Sequence, residues 1–392
     1  MDFRLLNSAF LPQAAELWDY CFEKKGDPFY EWYFSEYCLK QNSVIGGFDG
    51  DKLACMLHLN PYAITLRGQT LRLPYIVGVA TAPEYRGQHL TRPLLETAFT
   101  VLRAQGAAFA LLMPINPAIY KPYGFDYCYY RHYYQMPLAE LKKLPPVHNI
   151  KITRCADITE GVDKLAVVYE ACGQELNGMA VRSREKWQEL LNGYKAEKVM
   201  LAIAFESGSP AGYMLYLLDA GTFKVQELLT LSHEAQTALL RYAAGHLSDA
   251  ANFEWLAEPG NLAYLNFAGS TYSGSLKPFM MARCINIRKA LELLPVPQNV
   301  SGAAVLLITD KFLPLNNGLL KITAQNGALT QASTIENEEI TMDSAAFTQL
   351  YFGTFSFEEL VRAGKIKVHN PRKSGFLQAL FIKCRNYINE YY

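Results

Sequence analysis

Residues 75–91, YIVGVATAPEYRGQHLT, constrain this chain more than any other stretch. The apolar run over 75–81 reads as a buried strand and Pro83-Glu84-Tyr85 as a turn. Arg86-Gly87-Gln88-His89 then forms a loop that opens a helix over about 90–105. A strand feeding a short loop at a helix N-terminus leaves backbone N–H groups unpaired, and the helix dipole adds about half a positive charge there. Such a loop is an anion cradle and suits a phosphate. Gly87 permits close approach of the backbone, and Arg86 can offer a charged fork to a phosphate oxygen. An ordinary strand-to-helix turn is the competing reading, because Gly and Arg are common in loops.

A second apolar run over 109–113 follows the helix, and then NPAIYKPYGFDYCYY over 116–130. The order Val79, Pro83, Arg86, Gly87, Thr91 resembles the acetyl-coenzyme A loop of the GNAT acyltransferases, usually [QR]-x-x-G-x-[GA]. Arg86 fills its first position and Thr91 its last, while His89 replaces the inner Gly and leaves less room beside a pyrophosphate. Tyr120-Lys121-Pro122-Tyr123-Gly124-Phe125 resembles the [FY]-x-x-[FY]-G-[FY] signature of the same fold. In that family the first Tyr sits beside the thioester sulfur. Tyr120 lies 34 positions after Arg86, room for one helix, one strand and two loops.

With 392 residues the chain exceeds the size at which a single core stops growing, so two or three domains are expected. Lys plus Arg equals Asp plus Glu at 37 each, which argues against a general nucleic-acid or anionic-membrane binder. The first twenty residues read neither as a signal peptide nor as a membrane span, and no later run approaches 18 apolar residues, so a cytoplasmic location is expected. The eight cysteines include no C-x-x-C pair and the seven histidines form no ligand-spaced cluster, so free thiols and no metal are expected.

Along the chain, 11–24 carries helical spacing, and Asp27-Pro28 reads as cap and first turn of a second helix through Tyr37, crowded with rings. Hairpins are expected for 43–48 with 53–59 around Asp49-Gly50-Asp51, and for 62–66 with 71–81 around Arg67-Gly68-Gln69. From about 149 to 286 the pattern partly repeats: helices near 162–172 and 183–191, a hairpin 199–206 with 211–218, a strand 223–229, then a helix to about 244. Its strand-to-helix turn has no Arg-Gly, and Glu234 would repel a phosphate, so this half is expected to have no cofactor site. Short strands over 303–309, 319–325 and 328–333, then helices over 343–352 and 357–363, look like a sterol-carrier-like module with a packing and closing role.

The expected fold class is therefore α+β or mixed α/β: tandem GNAT acyltransferase folds followed by a sterol-carrier-like domain, divided as 1–147, 148–286 and 287–392. That arrangement resembles the Eis-type acetyltransferases over essentially the whole chain. The resemblance implies acetyl-coenzyme A as cosubstrate, held by the backbone of Val79 and Thr81 and by Arg86, Gly87, Gln88, His89, Leu90 and Thr91. It implies Tyr120 as the acid toward the departing thiolate, where the alternative is a Tyr whose hydroxyl is satisfied by backbone. The C-terminal carboxylate of Tyr392 is the implied base, aided by Glu390; a merely packed terminus is the alternative. Tyr30, Trp32, Tyr33 and Phe34 either line an acceptor cleft or simply pack on the sheet. The acceptor is expected to be a cationic amine, whether an aminoglycoside, a polyamine or a lysine side chain, and the assembly a homo-oligomer, commonly a hexamer. Two other readings stay open: a non-catalytic coenzyme A-binding or scaffold module, which His89 keeps alive, and a peptidoglycan-bridge-type aminoacyl transferase, which usually bears a long helical arm.

Overall fold

The structure, a computed structural model, describes residues 1–38, 42–267 and 272–390. Six strands come first: β1 (Asp2–Leu5), β2 (Ser43–Asp49), β3 (Lys52–Leu66), β4 (Gln69–Thr81), β5 (Phe109–Leu112) and β6 (Asp126–Tyr127). The helices Leu11–Cys21, Pro28–Trp32 and Thr91–Ala104 lie between them. Asp27 caps the second helix by accepting from the Phe29 amide, with Pro28 in its first turn. Past Trp32 that helix widens into a π turn, Tyr33–Tyr37. The β3–β4 hairpin closes through Arg67 and Gly68, both at positive φ (52° and 74°), the turn geometry that matches strand twist.

In place of two expected strands, β3 is one strand of 15 residues running through Pro61. Pro61 faces Pro74, so neither is asked for the N–H it lacks, and the paired registers of β2 and β5 stop short of both.

The chain then builds a second compact unit, residues 129–278 with 385–389. Its strands are β7 (Tyr130–Pro137), β8 (Ile150–Cys155), the short β9 (Met179–Ala180), β10 (Met200–Glu206), β11 (Ser209–Asp219), β12 (Thr222–Thr230), β13 (Asn252–Ala257) and β14 (Ser273–Pro278). The sheet runs β14-β7-β13-β12-β11-β10-β8. The helix Val162–Cys172 packs on one face of it and the helix His233–Ala243 on the other.

Returning to the first unit, the chain adds β15 (Met281–Cys284), β16 (Gly302–Thr309), β17 (Gly318–Gln325), β18 (Ala328–Ser333), β19 (Ile340–Asp343) and β20 (Ile366–Val368). The first sheet is ordered β1-β2-β3-β4-β5-β15-β6, and a third, β18-β17-β16-β19-β20, carries the helices Ser344–Phe352 and Ser374–Leu380. Sheet membership therefore departs from linear cuts at 147 and 286: Tyr130–Pro137 pairs in the second sheet, and Met281–Cys284 pairs with β5 and β6 in the first. Each half completes its sheet with a strand from beyond the expected boundary, a pairing that no local pattern encodes.

Within the first unit, Arg283 of β15 is fully buried, held by Asp310 at 2.8 and 2.9 Å and set against the Phe99 ring. Gly124 lies against that guanidinium at φ +82°; a Cβ there would come within 1.6 Å of an Arg283 nitrogen. The Gly of the second signature is thus a packing requirement.

Candidate active site

The site begins where β4 parts from its neighbours. On one side β4 pairs in parallel with β5 only at Tyr75–Leu111 and Ile76–Leu112, so 77–81 run on without a β5 partner. On the other side the β3 ladder slips: His58 faces Val77 and Met56 faces Ala80, so Leu57 stands against both Gly78 and Val79. Gly78, at φ +58°, makes this a bulge, and the Trp18 ring lies so close that a Cβ would meet it at 2.2 Å. The bulge takes Val79 out of the regular β3 ladder, and the fork leaves Thr81, which still faces Cys55 of β3, without a β5 partner.

At the mouth of the fork lies the basic loop. Among the described residues the amides of Gly87, Gln88, His89, Leu90 and Thr91 donate to no protein acceptor, and no side chain caps the helix Thr91–Ala104. Arg86 is exposed, and its Nε donates to the Thr81 carbonyl at 3.2 Å, tying the loop to the end of β4. Gly87 and His89 both hold positive φ, 78° and 57°. His89 therefore keeps the left-handed backbone for which the usual Gly is favoured, and its side chain is exposed.

Tyr120 ends the short helix Pro117–Tyr120, which Asn116 caps, and packs edge-on to Phe125 at 6.2 Å. Among the described residues its hydroxyl makes no hydrogen bond, to backbone or side chain. Burial pushes the phenol up to about 12. At neutral pH it is a protonated donor.

The aromatic helix divides. Tyr33 is fully buried, stacked on Trp18 at 4.8 Å, and its hydroxyl is enclosed by Asn60 Oδ1 (2.8 Å), Asn42 Nδ2 (2.8 Å) and His58 Nδ1 (3.0 Å). Tyr30 is also buried, its hydroxyl donating to the Ala15 carbonyl at 3.2 Å. Both are core residues in this structure, the packed one of the two readings that the sequence leaves open, because the hydroxyl of each ring finds its acceptors inside. Phe34 and Trp32 keep part of their surface exposed.

The sequence reading missed His58. It and Asn60 are buried polar residues two positions apart on one face of β3, within an apolar run, which was the available signal. Asn42 Nδ2 donates to His58 Nδ1 at 3.1 Å, which leaves the ring proton on Nε2. Nε2 is buried with no partner among the described residues. The adjoining Cδ2 edge would lie 3.2 Å from a Cβ on Gly78, beside the bulge. Burial pushes this imidazole down to about 3.

Of the C-terminal residues, Glu390 is half-buried, and Tyr392 lies outside the described residues. All eight cysteines are free, five of them buried. No helix of the described chain is long and apolar enough to cross a membrane.

Comparison with known proteins fits this geometry. Family models described as acetyltransferase (GNAT) domain match residues 2–128 and 178–284, and a sterol carrier protein domain model matches 287–389. The chain belongs to the GNAT acetyltransferases, of the Eis type. An uncharacterized N-acetyltransferase of Streptomyces avermitilis is 22% identical over 350 residues, 83% of each chain. N-acetyltransferase Eis of Mycobacterium bovis is 24% identical over 316 residues, 77% of this GNAT chain and 76% of its own. Among solved structures, a probable N-acyltransferase of Enterococcus faecalis matches with a TM-score of 0.88 at 22% identity, covering 100% of both chains. Eis1 of Mycobacterium abscessus matches with a TM-score of 0.78 at 17% identity, also over 100% of both. The chain is thus a GNAT N-acetyltransferase by family.

Proposed function

We propose that this enzyme transfers the acetyl group of acetyl-coenzyme A to a primary amine of a cationic acceptor, an aminoglycoside, polyamine or lysine side chain, by direct attack. The observation that carries the reading is the run of five consecutive amides at the mouth of the fork, Gly87 to Thr91, with no acceptor among the described residues. Five N–H donors at an uncapped helix N-terminus, with Arg86 exposed beside them, fit a pyrophosphate. The bulged backbone at Val79 and the end of β4 at Thr81 fit an amide-bearing arm and can steady charge growing on a carbonyl oxygen. When bound, the thioester supplies the activated acetyl group.

Tyr120 holds its proton at neutral pH. Full transfer from a phenol near 12 to a thiolate whose acid titrates near 8.5 is uphill by about 5 kcal/mol, so its part is a strong hydrogen bond to the departing sulfur. For the acceptor side the same reading assigns Phe34 and Glu390 to the amine, and the Tyr392 carboxylate to its proton, directly or through a water. A homo-oligomer, a hexamer on the Eis pattern, in the cytoplasm completes the proposal.

Two measurements decide it. Titration calorimetry with acetyl-coenzyme A should show saturable heat; none would leave the scaffold reading. Thiol release against a panel of aminoglycosides, polyamines and lysine peptides should identify an acceptor. Turnover only with aminoacyl-tRNA would instead select the aminoacyl transferase. That alternative lacks support in the helices, since the longest among the described residues is Thr91–Ala104.

A further inference from the structure

The second acyltransferase fold repeats the fork of the first. β12 pairs in parallel with β13 from Thr222–Asn252 to Val225–Trp255 and then runs on unpaired with it to Thr230. The loop at its mouth differs, because Ser232 caps the helix His233–Ala243 by accepting from the Ala235 amide, and Glu234 stands in the first turn. The phosphate end is therefore closed by the protein itself, which leaves open what the fork does.

Residues 385–389 lie in it. The Asn177 amide donates to the Arg385 carbonyl at 2.9 Å and the Tyr387 amide to the Asn177 carbonyl at 2.8 Å, a parallel bridge. Arg385 reaches past the end of β13, to the Pro259 carbonyl at 3.4 Å and Glu258 at 3.5 Å. On the β12 side Asn389 Nδ2 donates to the Gln226 carbonyl (3.1 Å) and to Glu227 (3.2 Å). Its Oδ1 accepts from Arg131 of β7 at 2.7 Å, and Arg131 also donates to the Ile388 carbonyl at 2.6 Å. Asn386, Tyr387, Ile388 and Asn389 are all buried.

At the centre is Glu227, fully buried on β12. Arg182 grips it at 2.8 and 3.0 Å, and the hydroxyls of Tyr213 (2.9 Å) and Tyr387 (3.2 Å) donate to it. Arg182 also donates to the Asn389 carbonyl at 3.3 Å. The donors and acceptors around Asn389 read it as an amide: nitrogen toward a carboxylate and a carbonyl, oxygen toward an arginine. An aspartate there would aim oxygen at Glu227, a charge with no desolvated partner on that side.

We infer that the fork of the second acyltransferase fold is a receptor for the chain's own C-terminal segment, with Glu227, Arg131 and Arg182 selecting Asn389. A cleft that the fold offers to an amide-bearing ligand arm is given over to a peptide in cis.

Moving the charge tests the recognition in the full-length protein. Carboxypeptidase trimming followed by intact mass should leave residues 385–389 in place in the wild type. Asn389→Asp should be trimmed through Arg385 at least tenfold faster. The double variant Glu227→Gln with Asn389→Asp returns one carboxylate to the cluster with both arginines in reach, and should regain resistance. Equal resistance of the single variant, or a double variant as labile as the single, overturns the inference. Should Asn389→Asp not fold, Asn389→Ala is read by the same trimming, and a resistant tail again overturns it.

Discussion

Acidification isolates His58. Its imidazole is buried among Trp18, Tyr33 and Phe34, and Nδ1 accepts from Asn42, so protonation would place a charge in an apolar site and set two donors against each other. Burial accordingly pushes it down to about 3, from an ordinary value of 6.5. The folded state takes up this proton only near pH 3, whereas the unfolded chain takes it up near 6.5. The unfolded state therefore binds more protons between those values, and the associated stability is intact above pH 6.5 and lost as the pH falls. The loss is about 1.4 kcal/mol per pH unit below 6.5, so lowering the pH from 7 to 5 costs about 2 kcal/mol through this one residue. Urea unfolding at pH 7, 6 and 5 should show the wild type losing about 2 kcal/mol more than His58→Gln, which carries no titrating group. Carboxylates elsewhere titrate equally in both proteins and cancel. Parallel profiles would refute the argument, because they would mean that the imidazole is solvated or already charged in the folded state.

Gly124→Ala should cost about 3 kcal/mol or more in unfolding experiments, since it combines positive φ with a methyl driven into the Arg283 guanidinium. At position 89, Gly should leave coenzyme binding intact and raise stability by about 1 kcal/mol, whereas Val, which resists φ +57°, should lower stability and coenzyme affinity in calorimetry. Tyr120→Phe removes the hydroxyl without moving the ring, so kcat should fall about 10- to 100-fold at unchanged KM for the coenzyme; unchanged kcat would end its assignment as donor. One Gly appended after Tyr392 displaces the terminal carboxylate by roughly 3.5 Å, and undiminished turnover would remove it from the mechanism.

Much of the first fold was legible in advance because its signals are local. Asp27-Pro28 starts a helix where expected, Arg67-Gly68 closes a hairpin, and the strand, loop and helix over 75–104 lie where apolar runs and helical spacing put them. The candidate site was half legible. The loop amides and Tyr120 belong to compact signatures, but the aromatic helix could be read as lining or as core. Its outcome was set by Asn60 and His58, 27 and 25 positions from Tyr33.

By itself, the sequence determined most of the elements, their order and the strand, loop and helix over 75–104, since caps, turn residues and apolar periods act within about ten residues of one another. Only the tertiary structure decided which strands complete which sheet, that Arg283 and Asp310 lock Gly124, that Tyr33 turns inward, and that residues 385–389 fill the second fork. The physical reason is the cost of burying charge and amide groups. Glu227 and Asn389 are 162 positions apart, and nothing near either one in the chain reveals that the other will supply its missing hydrogen bond.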